Sequence, residues 1–500
     1  MKAQKKPETK QNFVRFLLDK EQYYDWLLLL IVCITGYCIV KSGYPYPLTY
    51  PDSGGYIMAA QTDTFFFYRP FGYSMFLQII HAVSSNIHAV FIGQIGLYFI
   101  SAAIFAFTIK YFFTPAGKTG WYLLLFFFVF SPMAFILANC VMSDLLFGAV
   151  IFILLSSFIF IIKGGKWVSL VVFSLALFCS LHVRYSAMVF PVVTVVFFFL
   201  IKGKMRWLAI ASSLAVTLVF HTQLKDMMQE TTGFRQFSTG FDGWQYANNG
   251  MHVLPYIKDV PDRKLPKRKE IRELHRFIMS HKDIISEKTN QGKAVTTAFM
   301  WENDLPLKMF LQKKIREQRR SYSYMWIKLG STTYKDYGQY LILNYPWEFM
   351  RHYYFPNLAG VFHLNAPGIM YGEKTIDSQE AYDWYQLDRS QDLSCKNPFY
   401  QGFVWTFMQI TYGLTWIFIL ALSVWATVWR KRLRFDGTDK IVFWGLFVFG
   451  VIYYASTVFA SPIESRYLFP MECIHFAFCY ILFNKLTTGI KNYSSLVKSL

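Results

Sequence analysis

Residues 143–162 have the sequence SDLLFGAVIFILLSSFIFII. After the initial Ser143-Asp144 pair the stretch contains no charged side chain. A helix of this length measures about 30 Å, which matches the hydrocarbon core of a bilayer. We therefore interpret 143–162 as a membrane-spanning helix that begins at an acidic residue.

The composition of the whole chain agrees with this interpretation. Of its 500 residues, 54% are hydrophobic and 20% aromatic, only 16% are charged, and the mean hydropathy is +0.27. That is far more apolar surface than the core of a water-soluble protein needs. The sequence predicts an all-α polytopic membrane protein.

Apolar runs long enough to cross a bilayer recur along the chain and predict about ten spans. The runs lie at 24–41, 89–110, 121–138, 143–162, 167–182, 186–201, 206–221, 401–429, 441–460 and 466–484. They divide the chain into an N-terminal segment at 1–23, a membrane module at 24–221 with a first loop at 41–88, a long loop at 222–400, C-terminal spans at 401–484 and a tail at 485–500.

Lysine and arginine are concentrated in the short connections on one side of the predicted spans. These residues are Lys110, Lys118, Lys163, Lys166, 202–206, 430–434 and Lys485, together with the basic N-terminal segment. The positive-inside rule makes that side cytoplasmic, so both termini are expected inside. The first loop and the long loop then face outward; the long loop is also basic, but loops above about 60 residues translocate largely regardless of charge.

The apolar segment 69–88 is too short and interrupted for a span, and we expect a helix at the outer membrane interface there. Basic runs in the long loop could contact lipid phosphates or simply face solvent. Nucleic-acid binding is not expected on the outer side of a membrane.

An acidic motif, Tyr50-Pro51-Asp52-Ser53-Gly54-Gly55-Tyr56, follows the first span. A carboxylate at the mouth of a helix bundle could take a proton from a hydroxyl that attacks a sugar, and Asp52 is the predicted general base. The alternative is that Asp52 or Ser53 only caps the following helix.

Asp144 begins the fourth span at the same outer face. It could position an acceptor, or hold a divalent cation together with Asp52. The Ser143-Asp144 pair is equally suited to capping the helix. No cofactor other than this possible cation is expected.

Three arginines lie at the outer ends of predicted spans: Arg69, Arg184 and Arg466. A guanidinium group binds phosphate through forked hydrogen bonds, so these residues are candidates for binding a lipid phosphate. Each could instead reach toward lipid headgroups or pair with a neighbour such as Glu464.

Five short motifs occur in a fixed order along the chain: Asp-Ser-x-x-Tyr at 52–56, Arg-Pro-x-Gly-Tyr at 69–73, Ser-Asp at 143–144, Arg-Tyr at 184–185 and Arg-Tyr-Leu-x-Pro at 466–470. Together they resemble the GT-C glycosyltransferases, in particular the bacterial relatives of protein mannosyltransferases and of lipid A aminoarabinose transferases. The mannosyltransferases have Asp-Glu where this chain has Asp-Ser, so the helper carboxylate and the metal stay open.

The resemblance implies a GT-C fold with periplasmic interfacial helices and a long periplasmic loop, in a bacterial inner membrane. It implies inverting sugar transfer from a polyprenyl-phosphate-linked or pyrophosphate-linked donor to a periplasmic protein, lipid or glycan, with the base at Asp52. Ser53, Tyr56 and Tyr467 lie in the matching motifs and are expected near the substrate.

Two alternatives to this function stay open. An oligosaccharyltransferase would move a whole preassembled glycan to protein from a lipid pyrophosphate. A flippase or transporter of lipid-linked sugars would carry ionisable residues through the depth of its spans, whereas the candidates above gather at one face. No phosphate-binding Gly-rich loop supports ATP-driven transport.

Overall fold

The structure is a computed structural model that describes residues 12–497 apart from 66–68, 114–116, 130, 258–264, 291–294, 297–298, 365–378, 389–397, 430–434 and 436. Throughout the described residues the regular elements are helices, numbered α1–α24 from the short α1 at Phe13–Leu17, and one isolated bridge joins Leu48 to Cys140. The prediction of an all-α protein is confirmed.

Seven helices are long and apolar enough to cross a membrane. They are α2 Tyr23–Gly43, α5 His88–Phe112, α8 Ser143–Ile162, α11 Lys204–Thr232, α21 Pro398–Val428, α22 Gly437–Ala460 and α24 Glu472–Val497. Each corresponds to one of the predicted spans, so the polytopic membrane architecture is confirmed at this level.

The other three predicted spans are built from shorter helices. The predicted span 121–138 contains α6 Lys118–Val129 and α7 Pro132–Ala138, and the span 167–182 corresponds to α9 Trp167–Val183. The span 186–201 contains a 3₁₀ turn at Tyr185–Val189 and α10 Phe190–Phe198. Pro132 is the first residue of α7, where its missing N–H costs least, and Ser131 caps that helix by accepting from Ala134 N–H at 3.4 Å. For these three, crossing the membrane stays a prediction.

The first loop contains two helices, α3 Pro51–Thr62 and α4 Gly72–Val83. The predicted interfacial helix at 69–88 corresponds to α4. Its 12 residues measure about 18 Å, too short to cross the hydrocarbon core.

Hydrogen bonds tie the first loop to the segment between α7 and α8. Val141 N–H donates to the carbonyl of Leu48 at 2.9 Å. The buried Gln94 amide on α5 donates to the carbonyls of Ala138 and Cys140, both at 2.9 Å. The Leu48–Val141 bond holds the residues that precede α3 beside the start of α8, and the Gln94 bonds hold α5 against the same segment.

Helix α8 is buried along nearly its whole length and packs against α5 and α9. Asp144 lies in its first turn, and Lys163 follows its last residue. A helix of this length separates the two residues by about 30 Å. The acidic residue and the basic residue therefore lie at opposite ends of the bundle.

At the Lys163 end, Lys163 and Lys485 both pair with the buried carboxylate of Asp439. This brings together two of the basic residues predicted to lie on one side of the membrane. The predicted basic run at 430–434 lies outside the described residues.

The long loop is helical through most of its described part. Its helices are α12 Phe241–Met251, α13 Lys269–Met279, α14 Lys282–Asn290, α15 Pro306–Gln318, α16 Tyr322–Lys328, α17 Lys335–Asn344, α18 Pro346–Phe349, α19 Phe355–Ala359 and α20 Gln379–Tyr385. Helix α11 continues past the predicted span end at 221 to Thr232, so the loop begins as a direct extension of a span.

Helix α12 packs directly on the π-helical segment Leu329–Tyr334 and on α17. Gly243 allows this contact, because a Cβ atom there would lie 1.7 Å from the carbonyl oxygen of Gly330. Beside it, the rings of Trp244 and Trp326 lie 4.7 Å apart in the core of the loop. Close backbone packing and aromatic rings therefore hold these helices together.

Two asparagines attach the loop to the end of α22. The side-chain amides of Asn249 and Asn357 donate to backbone carbonyls within 458–461, two bonds from each. These carbonyls have no partner within the helix because they lie at its C-terminal end. The loop is thereby fixed to the segment that leads into Arg466.

Candidate functional site

The start of α3 fixes the position of Asp52. Ser53 Oγ accepts a hydrogen bond from Tyr50 N–H at 2.7 Å and donates to the carbonyl of Val141 at 2.8 Å. Ser53, and not Asp52, thus makes the side-chain bonds that begin the helix. The Asp52 carboxylate points to other partners, so its interpretation as a helix cap is not supported.

Each oxygen of Asp52 contacts a different guanidinium group. Oδ1 lies 2.6 Å from Arg69 Nη2, and Oδ2 lies 3.2 Å from Arg466 Nη1. Burial alone would raise the pKa of the Asp52 carboxyl, but the charges and hydrogen bonds of the two arginines outweigh burial and hold that pKa well below its usual range. The side chain keeps 28% of its surface exposed, so a substrate can reach it.

Asp144 is the buried carboxylate of the site, with 1% of its side chain exposed. Its Oδ1 pairs with Arg184, and its Oδ2 lies 4.0 Å from Arg466 Nη1. The neighbouring Ser143 hydroxyl lies 3.0 Å from the Tyr56 hydroxyl. Neither the Ser143 nor the Asp144 side chain caps α8 by a hydrogen bond. Both instead contact residues of other segments, Tyr56 and Arg184.

Arg466 joins the two aspartates. It lies in α23 Ser465–Leu468, and the same Nη1 atom faces both Asp52 and Asp144. Its Nε donates to Glu464 Oε2 at 2.5 Å, and its Nη2 donates to the Tyr467 hydroxyl at 3.3 Å. The predicted pairing of Arg466 with Glu464 is present, in addition to the contacts with the aspartates.

Aromatic rings line the arginines. Arg69 lies over the ring of Tyr56 at 4.9 Å, and Arg184 lies over that of Tyr467 at 5.3 Å. Arg466 lies between two rings, with Tyr50 at 5.1 Å and Tyr467 at 5.0 Å. The rings lie against the flat faces of the guanidinium groups, so the N–H groups at their edges stay available for hydrogen bonding.

All eight residues selected from the sequence therefore lie in one cluster, which we call the Asp52 cluster: Asp52, Ser53, Tyr56, Arg69, Asp144, Arg184, Arg466 and Tyr467. With Glu464 added, three carboxylates face three guanidinium groups. The formal charges of the cluster cancel.

The residues of the Asp52 cluster do not fit a divalent cation. A cation held by Asp52 and Asp144 would have to displace Arg466, because Arg466 Nη1 lies between the two carboxylates. Among the described residues there is also no group of three His, Cys, Asp or Glu side chains that could hold a metal ion.

Sequence reasoning missed two ionisable residues in the last span, Glu472 and His475, each of which contacts a polar side chain from another segment. Ser131 Oγ donates to Glu472 Oε2 at 2.6 Å, and a His475 ring nitrogen lies 2.9 Å from the Tyr454 hydroxyl. The ring of Trp416 lies 4.7 Å from that of His475. The sequence does contain a sign of them: Glu472 and His475 lie three residues apart inside an apolar run, and ionisable residues within spans are rare and usually functional.

Charges and hydrogen-bonding groups of the Asp52 cluster suit an anionic ligand with an adjacent hydroxyl. Guanidinium groups bind phosphate, and an accessible carboxylate can accept a proton. Comparison of the chain with protein-family models, with curated proteins and with solved structures finds no match.

Proposed function

We propose that this protein is an integral membrane glycosyltransferase of GT-C type that transfers a sugar from a polyprenyl-phosphate-linked donor to an acceptor hydroxyl. The observation that carries the proposal is one accessible carboxylate, Asp52, held between two guanidinium groups at the end of a membrane helix bundle. The acceptor is a periplasmic protein, lipid or envelope glycan. The setting is a bacterial inner membrane, with both termini in the cytoplasm and the Asp52 cluster at the periplasmic face.

The reaction is a single displacement with inversion at the anomeric carbon. The acceptor oxygen attacks that carbon while its proton passes to the Asp52 carboxylate. The bond from the anomeric carbon to the phosphate oxygen breaks, and its electron pair stays on that oxygen. Arg69, Arg184 and Arg466 are the groups that stabilise the charge of the departing lipid phosphate.

Accessibility favours Asp52 over Asp144 as the base. Both aspartates are paired with arginines, but Asp52 keeps 28% of its side chain exposed against 1% for Asp144. A general base must come within hydrogen-bonding distance of the hydroxyl that it deprotonates. Asp144 is better placed to hold Arg184 and Arg466 in position.

Transfer of labelled sugar tests this function directly. Membranes containing wild type, Asp52→Asn, Arg466→Ala or the control Asp226→Asn, at matched expression, are given polyprenyl-linked donors and envelope acceptors. Asp226 forms an ion pair with Arg235 in which both side chains are at least half exposed, so its loss serves as a matched charge control. We expect wild type and Asp226→Asn to transfer label and Asp52→Asn to lose at least about a hundredfold in rate.

The product separates the two enzyme activities. Addition of one sugar supports the proposed function, and addition of a whole preassembled glycan to protein supports the oligosaccharyltransferase alternative. Full activity of Asp52→Asn would show that the base is elsewhere.

Transport of lipid-linked sugars is a second candidate function, and the Glu472 and His475 side chains favour it. They lie in the first turn of α24, inside the last candidate span, and a transport path needs ionisable groups within spans. The measurement is movement of a labelled lipid-linked sugar across proteoliposomes without acceptor. Movement by wild type that Glu472→Gln abolishes and Asp52→Asn leaves intact would favour transport over transfer.

A further inference from the structure

The arginines of the Asp52 cluster already have partners. Arg466 uses all three side-chain nitrogens, Nε on Glu464, Nη1 on Asp52 and Nη2 on Tyr467. Arg69 Nη2 is bonded to the other Asp52 oxygen. A phosphate group that binds both guanidinium groups must therefore replace some of these contacts.

The contacts with Asp52 are the ones most open to replacement. The Asp52 side chain is the most exposed carboxylate of the cluster, at 28% against 26% for Glu464 and 1% for Asp144. Its contact with Arg466 is 3.2 Å long, against 2.5 Å for the bond that Arg466 donates to Glu464, and its contact with Arg69 is 2.6 Å long. Asp144 is buried and offers no path from outside. An anion that arrives from solvent or from the membrane surface therefore meets the arginines on the side that Asp52 occupies.

The charge balance of the cluster also favours exchange of the Asp52 carboxylate for a phosphate. Arginine stays protonated at any physiological pH, so three guanidinium groups balance three carboxylates in the cluster. A phosphate adds at least one negative charge to this neutral arrangement. Replacing the Asp52 carboxylate as the partner of Arg69 and Arg466 lets the phosphate enter without leaving excess negative charge on those two arginines.

We propose that the phosphate group of a polyprenyl-linked ligand and the Asp52 carboxylate compete for Arg69 and Arg466, so that ligand binding releases Asp52 to accept a proton. This inference rests on the proposed function and adds that donor binding regulates the basicity of Asp52. Without ligand, the carboxylate is held in ion pairs and is a poor base. With ligand, the arginines turn to the phosphate, and Asp52 becomes basic only when a donor is present.

The surroundings of Asp52 explain why release makes it basic. The groups that face it are Arg69 and Arg466, with Glu464, Asp144 and Tyr467 next to them. Burial raises the pKa of the carboxyl, and only the arginines lower it. When they move to the phosphate, burial and the added negative charge act in the same direction, and the pKa rises.

Ligand affinity is the first test. The full-length protein in detergent is titrated with farnesyl phosphate, a short polyprenyl phosphate, and Kd is measured for wild type, Asp52→Asn and the control Asp226→Asn. Competition predicts that Asp52→Asn binds about tenfold more tightly than wild type while Asp226→Asn is unchanged. Equal or weaker binding by Asp52→Asn, or no binding by either protein, overturns the proposal.

Chemical labelling of the wild type is the second test and needs no variant to fold. An apolar carbodiimide reacts with protonated carboxyl groups, and labelling of Asp52 is followed by mass spectrometry. We expect farnesyl phosphate to raise the labelling rate of Asp52 at least about fivefold, and farnesol, which has the same chain without phosphate, to leave it unchanged. Labelling that farnesyl phosphate does not raise overturns the proposal.

These tests separate the inference from the function on which it rests. If Asp52→Asn loses sugar transfer but does not bind farnesyl phosphate more tightly, the base is correct and the competition is wrong. If Asp52→Asn binds more tightly but wild type transfers no sugar, the competition is correct and the proposed activity is wrong.

Discussion

Ser53 Oγ donates a 2.8 Å hydrogen bond to the carbonyl of Val141, and this bond joins the helix that carries Asp52 to the segment that leads into Asp144. The same oxygen accepts from Tyr50 N–H, so one fully buried hydroxyl satisfies two backbone groups. Together with the Val141–Leu48 backbone bond and the Tyr56–Ser143 contact, it sets the relative position of the two aspartates.

Replacement of this hydroxyl is predicted to destabilise the protein. Ser53→Ala leaves the part-buried N–H of Tyr50 and the buried carbonyl of Val141 without their side-chain partner, which costs about 1–3 kcal/mol. The expected result is a lower Tm in detergent than for the control Ser331→Ala. Ser331 also lies in a helix, but its hydroxyl only bonds back to the carbonyl of Ile327 in the preceding turn. Equal Tm values for the two variants would contradict the role of Ser53.

The buried pair of Arg184 and Asp144 gives a second prediction. Arg184→Met removes the hydrogen-bonded partner of the buried Asp144 carboxylate and leaves only Arg466, 4.0 Å away; breaking a buried pair costs about 3–5 kcal/mol. Asp144→Asn in the same background removes the charge that has lost its hydrogen-bonded partner and is expected to recover most of the lost Tm. If Arg184→Met alone keeps the wild-type Tm, the pair does not stabilise the fold.

Close packing between α12 and the π-helical segment gives a third prediction. Gly243→Ala places a Cβ atom 1.7 Å from the carbonyl oxygen of Gly330, so backbone must move, and we expect little folded protein by size-exclusion chromatography. The matched control is Gly413→Ala in α21, where a Cβ atom meets nothing within 4 Å. Alanine there is expected to stabilise the helix by about 0.5–1 kcal/mol. Similar yields of both variants would argue against this backbone contact as a requirement for folding.

Protonation of His252 in the long loop gives a pH prediction. Its side chain is 3% exposed, its ring lies 5.1 Å from that of Phe299 and 5.2 Å from that of Tyr353, and burial lowers its pKa to about 3. An unfolded histidine has a pKa of about 6.5. As pH falls below that value, the unfolded chain binds a proton that the folded protein excludes, so folding stability falls.

The expected loss is about 1.4 kcal/mol per pH unit between pH 6.5 and pH 3, or about 2 kcal/mol at pH 5. The measurement is Tm at pH 7 and pH 5 for wild type and His252→Phe, a replacement that keeps an aromatic ring. The variant is expected to lose less Tm than wild type over this range. An identical loss in the two proteins would assign the acid sensitivity to other groups.

The sequence was sufficient to select the charged members of the Asp52 cluster for a physical reason, whereas Ser53, Tyr56 and Tyr467 were selected through the motifs of the resemblance. Asp144 and Arg466 lie at ends of apolar runs and Asp52 lies in the loop after the first run, and charged residues on one face of a bundle tend to come close together when the spans pack. Span ends are readable from hydropathy, so the cluster could be predicted without knowing how the helices are arranged.

The partners within the cluster could not be predicted in the same way. Whether Asp52 or Ser53 begins α3 depends on the position of Val141, a residue 88 positions from Ser53. The division of the predicted 121–138 span into α6 and α7 depends on Pro132, which is compatible with either a kinked helix or a new one. The helices of the long loop have mixed polarity, so hydropathy alone does not separate their buried faces from their exposed ones.

The location of Arg466 bears on biosynthesis. The ribosome makes Asp52 and Asp144 hundreds of residues before Arg466, which lies 414 positions after Asp52. A nascent chain that has inserted its early helices thus holds two acidic side chains without the cation that bridges them. The segment carrying Arg466 completes the Asp52 cluster only when the final helix joins the bundle, so a chain released early has no assembled site with which to act on lipids in the membrane.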